Sequence, residues 1–316
     1  MQIVYHQNLI FGSALLNRFH PFQFDRARVA QGILRDTLGE KLEWRSPEKA
    51  VTWSQLELVH NATYLKELQR SSTIAQVIEV PFLALSPGFL TRRWFLRPAR
   101  WSVACSLLAA ECALESGLGI CLGGGFHHAK REGGEGFCFV NDIAFVVESL
   151  RDTGKLKPEQ QVLYIDLDVH QGNGVSAYYH NDPTVRSLDI YNEDIYPVWR
   201  SDLSDILEVA VPLRSGCTDE KYLEATSQGL GRLLEGAHEP ALAIYNAGND
   251  IFAEDALGGF RVSAEGVAQR DTIVLEALLE RQIPTVVLAS GGYSQKSSEL
   301  LAGLCQIGHR LTSSKS

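Results

Sequence analysis

Short apolar runs recur along the chain at Ile3–Tyr5, Ile120–Leu122, Val162–Leu167, Val185–Ile190, Leu207–Val211, Leu242–Tyr245 and Thr285–Leu288. Each has the length of a strand and is rich in Val, Ile and Leu, as a strand buried on both faces requires. Longer stretches with helical spacing lie between them. Arg97–Glu115 presents Ala, Leu, Val and Cys on a broad face and stops at Gly117, a C-cap signal. Asp219–Leu234, Ala264–Glu280 and Gln295–Leu311 also read as helices. Strands alternating with helices predict an α/β fold, a single domain over residues 1–316 with a mainly parallel multi-stranded sheet flanked by helices. No internal repeat, low-complexity tract or long polar linker divides it.

The polar residues with chemistry to offer follow the apolar runs. Gly123–His128, Asp166–His170, Asn246–Asp250 and Ser290–Tyr293 each stand at the end of a predicted strand. Ligands of open parallel sheets bind beyond the carboxyl ends of the strands, so these four clusters are expected to converge on one site.

Composition narrows the picture. With 45% hydrophobic and 21% charged residues, the chain is an ordinary globular one of 316 residues. A chain of this size can bury roughly 75% of its unfolded surface. A net charge of −9 argues against a nucleic-acid partner, whose backbone demands clustered Lys and Arg. It is compatible with a cationic substrate such as a lysine-rich peptide or a polyamine. The six cysteines form no C-x-x-C pair and are expected to be reduced thiols. No leader pattern opens the chain, and the most apolar stretch, Ile74 to Leu90, is broken by Glu79, Pro81 and Pro87, so no membrane span is expected. A soluble, cytoplasmic protein is the expectation.

In the run from Tyr164 to Gly174, Asp168 and His170 are two apart, and in extended backbone such residues point the same way. A carboxylate and an imidazole at a strand end suit a divalent metal such as Zn²⁺. Asp250, closing Asn246-Ala247-Gly248-Asn249-Asp250, is the candidate third ligand. Three protein ligands leave a fourth position open, the mark of a catalytic zinc site. Fe²⁺ and Mn²⁺ also accept this donor set. Each Asp alone reads equally as a helix N-cap after a strand. A binuclear site needs further acids, but Gly172 and Phe252 stand where they would be.

Gly123-Gly124-Gly125-Phe126-His127-His128 sets two adjacent histidines after a glycine turn. Histidine titrates where a water acidified by zinc does, so one ring can take the water proton while the other orients substrate or protonates the leaving amine. Asp166 and Asn173 are plausible acceptors behind them. In Ser290-Gly291-Gly292-Tyr293, the tyrosine hydroxyl can donate to a developing oxyanion; in isolation it would read as a loop-filling Tyr.

Together G-G-G-F-H-H-A-K-R-E-G-G-E-G-F-C, Y-I-D-L-D-V-H-Q-G-N-G, Y-N-A-G-N-D and S-G-G-Y resemble the zinc-dependent histone deacetylases of the arginase–deacetylase fold, over about residues 3 to 310. Gln171 with Asn173, Ile190–Asn192 through Ile195–Pro197, Asp255–Gly259, Ser290, His20–Phe22 and Glu79–Pro81 through Leu96–Pro98 resemble the class IV branch. The resemblance implies that Asp168, His170 and Asp250 hold one zinc. It implies tandem acid/base histidines at His127 and His128, backed by Asp166 and Asn173 respectively, and a transition-state tyrosine at Tyr293. Phe137 and Tyr196 become walls of an acyl-lysine tunnel lined by Gly136, with Leu257 near its mouth. Asp166, Asp168, His170, Ser187 and Leu188 resemble a structural K⁺ site. The segment 75–90 offers no clear counterpart of the rim acid that grips peptide backbone in class I. The implied activity is removal of acyl groups, long-chain fatty acyl over acetyl, from protein lysines. An acetylpolyamine or small-acylamine hydrolase and an inactive acyl-lysine binding module are the alternatives.

Overall fold

The computed structural model describes residues 1–12, 20–197 and 208–313. One eight-stranded sheet organises them. Its strands are β1 (Gln2–Val4), β2 (Glu43–Arg45), β3 (Leu118–Cys121), β4 (Val162–Asp166), β5 (Val185–Asn192), β6 (Val209–Leu213), β7 (Leu242–Asn246) and β8 (Thr285–Leu288), in the spatial order β2-β1-β3-β8-β7-β4-β5-β6. Every pairing is parallel. The expected architecture is therefore observed. The predicted run Leu207–Val211 lies two residues early: the strand is Val209–Leu213, and Leu207 is outside the described residues.

The helices are α1 (Arg26–Leu38), α2 (Trp53–Leu56), α3 (Ala62–Glu67), α4 (Ser71–Val77), α5 (Gly88–Thr91), α6 (Arg97–Ser116), α7 (Asp142–Asp152), α8 (Asn173–Tyr179), α9 (Asp219–Glu235), α10 (Ala264–Glu280) and α11 (Ser297–Ser313). Helix α6 ends as its sequence predicts: Gly117 takes the left-handed conformation (φ 84°) and its N–H donates to Ala113 O at 2.8 Å. The centre of the sheet is buried on both faces, with Ile120, Leu163, Ile244 and Val287 fully covered. All six cysteines are free and buried, as expected of reduced thiols. Among the described residues, no helix is long and apolar enough to cross a membrane.

The sheet order places the site. The four strands that precede polar clusters, β3, β8, β7 and β4, are consecutive neighbours. Because all run the same way, their carboxyl ends lie side by side, and the chemistry of segments far apart in sequence is delivered to one edge.

Candidate active site

Behind β3 the chain must turn sharply to aim two histidines at that edge. Gly124 and Gly125 adopt φ of 79° and 87°, a region side chains disfavour. A Cβ on Gly124 would overlap Ser106 and Asp142, and one on Gly125 would overlap Asn246 and Ser290. The turn is held by Asp142, the first residue of α7. Its carboxylate accepts from Gly125 N (3.0 Å), Phe126 N (2.7 Å) and Ser106 Oγ (2.6 Å).

His127 and His128 lie with ring centroids 4.0 Å apart and planes tilted by 50°, and they are wired differently. His127 Nδ1 lies 2.8 Å from Asp166 Oδ2, and Asp166 also accepts from Asn246 Nδ2 (2.9 Å) and from the Tyr164 hydroxyl. Burial alone would lower the pKa of His127, but the charges of Asp166 and Asp168 push it up to about 9. His128 Nδ1 lies 2.8 Å from Asn173 Oδ1, and Asn173 Nδ2 donates to Glu135 Oε1 at 2.6 Å. The amide's orientation is thus fixed: its oxygen faces His128, so His128 carries its proton on Nδ1 and leaves a lone pair on Nε2. Burial, reinforced by His127 and His170, drives the pKa of His128 well below its ordinary value. The charge of Asp166 favours the protonated form of His127, and burial favours the neutral form of His128.

Asp168, His170 and Asp250 are buried, and one potential ligand atom from each lies within 4.8 Å of the others. His170 Nδ1 faces both carboxylates, Asp168 Oδ1 at 3.1 Å and Asp250 Oδ2 at 3.2 Å. Burial and the charge of Asp168 raise the pKa of Asp250, and the two acids raise that of His170, the sign of negative charge gathered at one point. Two buried carboxylates that repel each other call for a cation between them. The cradle is tight: a Cβ on Gly291 would overlap both carboxylates, and one on Gly248 would overlap Asp168. The residues therefore fit a single divalent ion. No other such group exists among the described residues, and Gly172 and Phe252 supply no acid for a second ion.

Opposite this cradle stands Tyr293. Its burial and the nearby Asp250 and Asp168 hold the phenol well above its ordinary pKa, so it remains a hydroxyl donor. Asp255 Oδ2 accepts from Tyr293 N (2.7 Å) and Ser294 N (3.1 Å), while Oδ1 accepts from Leu257 N (3.0 Å). Arg26, buried, braces the preceding turn by donating to Gly291 O (2.9 Å) and to Ser290 O. Ser290 Oγ and Gly291 N both donate to Asp168 Oδ2, at 2.8 and 2.7 Å.

An outer cleft of about 500 Å³ leads to this floor. Gly136, Phe137, Tyr196 and Leu257 line it with His128, His170 and Tyr293. Phe137 is held in the left-handed region (φ 65°), its N–H donating to Val77 O at 3.1 Å. An inner cavity of about 50 Å³ continues past the histidines between Phe11, Phe22, Phe24 and Phe126, against the glycine turn. A larger cleft, about 590 Å³, opens elsewhere around Gln161, Asp182 and Arg186 and contains neither the histidine pair nor the metal cradle. Volume alone would choose the wrong site.

The structure brings together Asp168, His170, Asp250, His127, His128, Asp166, Asn173 and Tyr293, with Gly136, Phe137, Tyr196 and Leu257 lining the approach. Two contributors were not singled out in the sequence. Asp142 and Arg26 act on backbone groups of loops they do not belong to, which no local spacing encodes. Glu79, within the segment that offers no clear counterpart of the class I rim acid, lines the outer cleft with Val80 and Pro81. For K⁺, Ser187 and Leu188 pair with Tyr164 and Ile165 across β4 and β5, beside Asp166.

A divalent-metal cradle, a histidine pair and a tyrosine donor at the carboxyl edge of a parallel sheet define a metal-dependent hydrolase class. The chain matches the histone deacetylase domain over residues 20–306, and it belongs to that family. It is 35% identical to "Histone deacetylase 2" of Arabidopsis thaliana, over 96% of this chain and 77% of that protein. An uncharacterised protein of Picosynechococcus sp. is 29% identical over 95% of this chain and 94% of its own length. Human "Histone deacetylase 1" is 30% identical over 93% of this chain and 61% of that protein.

Proposed function

We propose that this chain is a zinc-dependent lysine deacylase of the class IV type, acting in the outer cleft on acylated lysine of a protein or peptide. Membership of the histone deacetylase family makes it a hydrolase of the acetyl-lysine type. The observation that carries the assignment to this cleft is His170 Nδ1 facing two buried carboxylates at the floor of a tunnel-like wall of Phe137 and Tyr196.

Asp168, His170 and Asp250 would hold the ion, which when bound supplies Lewis acidity and acidifies water. Phe137 and Tyr196 flank the lysine methylenes. Tyr293 donates its hydroxyl to the carbonyl oxygen as negative charge grows there. His128, neutral and with a free Nε2, takes a proton from water as the oxygen adds to the acyl carbon. The amide C–N bond then breaks, His128 returns the proton to the departing lysine nitrogen, and a carboxylic acid and an amine result. His127, whose protonated form Asp166 favours, opposes the negative charge of this step. A K⁺ ion held by Asp166, Asp168, His170, Ser187 and Leu188 is the proposed structural companion, and Asp189 Oδ1, buried without a partner beside Asp166, supports a cation there.

The preference for long acyl chains rests on the inner cavity. Its apolar lining suits methylenes, each worth up to about 0.8 kcal/mol when buried. At about 50 Å³ it takes an acetyl methyl as it stands, so a longer chain enters by displacing phenylalanine rings. The test compares kcat/KM for acetyl- and dodecanoyl-lysine peptides, with chelation and zinc restoration. Zinc-restorable hydrolysis with the longer chain preferred is expected. Acetyl turnover with no dodecanoyl binding would sink the chain-length reading, and no metal-dependent turnover of either would favour a binding module. Glu79 at the mouth also suits a cationic amine, so acetylspermidine belongs in the same assay.

A further inference from the structure

Among the described residues, the three most exposed large apolar side chains fall in one short stretch: Phe82 (60%), Leu85 (92%) and Phe89 (64%). Their exposure is built in. Leu83 is buried beneath them, and Ser71 Oγ pins the stretch by bonding Ser86 O (2.9 Å) and Thr91 Oγ1 (3.0 Å). At one end Phe82 walls the outer cleft. At the other, Phe89 walls a separate surface cleft of about 460 Å³ that also contains Arg92, Arg93, Arg97 and Arg100.

That second cleft holds no Asp or Glu, and none of its four arginines meets a carboxylate in an ion pair among the described residues. Two are held by neutral groups instead: Arg92 Nη1 donates to Gln69 O (3.1 Å), and Arg100 Nε to Val51 O (2.5 Å) while lying over Trp53. The charge is locally inverted. Residues 64–100 carry six basic and two acidic side chains in a chain whose net charge is −9. Protruding Phe and Leu beside uncompensated Arg is the pattern of a surface that seats in the headgroup layer of an anionic bilayer.

We propose that residues 82–97 dock this protein on an anionic phospholipid surface, with Phe82, Leu85 and Phe89 entering the interface, Arg93 and Arg97 meeting headgroups, and the outer cleft opening beside the membrane. A second copy of the chain fits the patch poorly, because a two-fold contact would bring the arginines together. A nucleic acid would leave the apolar tips without a role.

The proposal goes beyond the deacylase reading and is read by binding without turnover, so either can fail alone. The full chain is sedimented with vesicles of phosphatidylcholine, with and without phosphatidylserine. Binding that requires phosphatidylserine and weakens with salt is expected. Arg93→Gln with Arg97→Gln should weaken partitioning about thirtyfold (about 1 kcal/mol for each arginine). Leu85→Ser with Phe89→Ser should abolish it at unchanged thermal midpoint and unchanged turnover of a soluble peptide. Failure of the wild-type chain to prefer phosphatidylserine overturns the proposal, as does indifference to both double variants. Inorganic phosphate protecting the arginines without vesicle retention would make the cleft a free-anion site and overturn it. So would a dimer in sedimentation velocity that Leu85→Ser with Phe89→Ser dissolves.

Discussion

Asn173 decides which nitrogen of His128 is free, and it does so because Glu135 fixes which end of the amide faces the ring. A neutral acceptor orients the imidazole without raising its pKa, whereas Asp166 both orients His127 and favours its protonated form. At this scale the tyrosine gives the sharpest test. Tyr293→Phe should keep the fold and the bound metal and lose on the order of 10²–10³ in kcat, as for loss of one oxyanion donor. A rate near wild type, measured on protein of verified metal content, would leave Tyr293 only a packing role. His60 offers a second test. It accepts from Asn141 N at 2.9 Å, and burial lowers its pKa from 6.5 to about 4. The folded state therefore binds this proton less well than the unfolded one. The contribution is intact above pH 6.5 and is lost as pH falls toward 4, up to about 3 kcal/mol in all. Urea unfolding across that window should show a smaller stability loss for His60→Gln than for the wild type.

Among the elements, α7 carries a load its sequence hides. Asp142 at its first turn clamps the glycine turn that aims both histidines. Asp142→Ala strands two buried N–H groups and a hydroxyl, a loss of about 3 kcal/mol or more. A thermal midpoint lowered by only a degree or two would show that the turn holds itself. The helix was not singled out from the sequence, where Ile143–Val147 is a continuous apolar run only as long as a strand. Helix α1 hid for the opposite reason: its buried face is mostly Ala27, Ala30 and Leu34 within a polar sequence. Strand β2, Glu-Trp-Arg at the sheet edge, has no apolar run to read. The central strands were legible because burial on both faces leaves continuous Val, Ile and Leu. The site residues were legible because parallel strands deliver them just past those runs. Arg26 was not, since it reaches the site from a helix with its own local logic.

For the whole molecule, the order of the sheet differs from the order of synthesis. Strand β8 is the last along the described chain, yet it lies between β3 and β7. Until it arrives, β2-β1-β3 and β7-β4-β5-β6 are two half-sheets, each with a bare edge where the centre of the protein will be. Such edges invite pairing with other chains, and closing so distant a contact is slow. Refolding should therefore pass through a species in which the amides of β3 and β7 gain exchange protection only together with those of β8. Pulse-labelled hydrogen exchange that found β3 and β7 protected first would refute this. A nascent chain still lacking Thr285–Leu288 should aggregate, and the Gly291 turn that completes the metal cradle would form only in the final folding step.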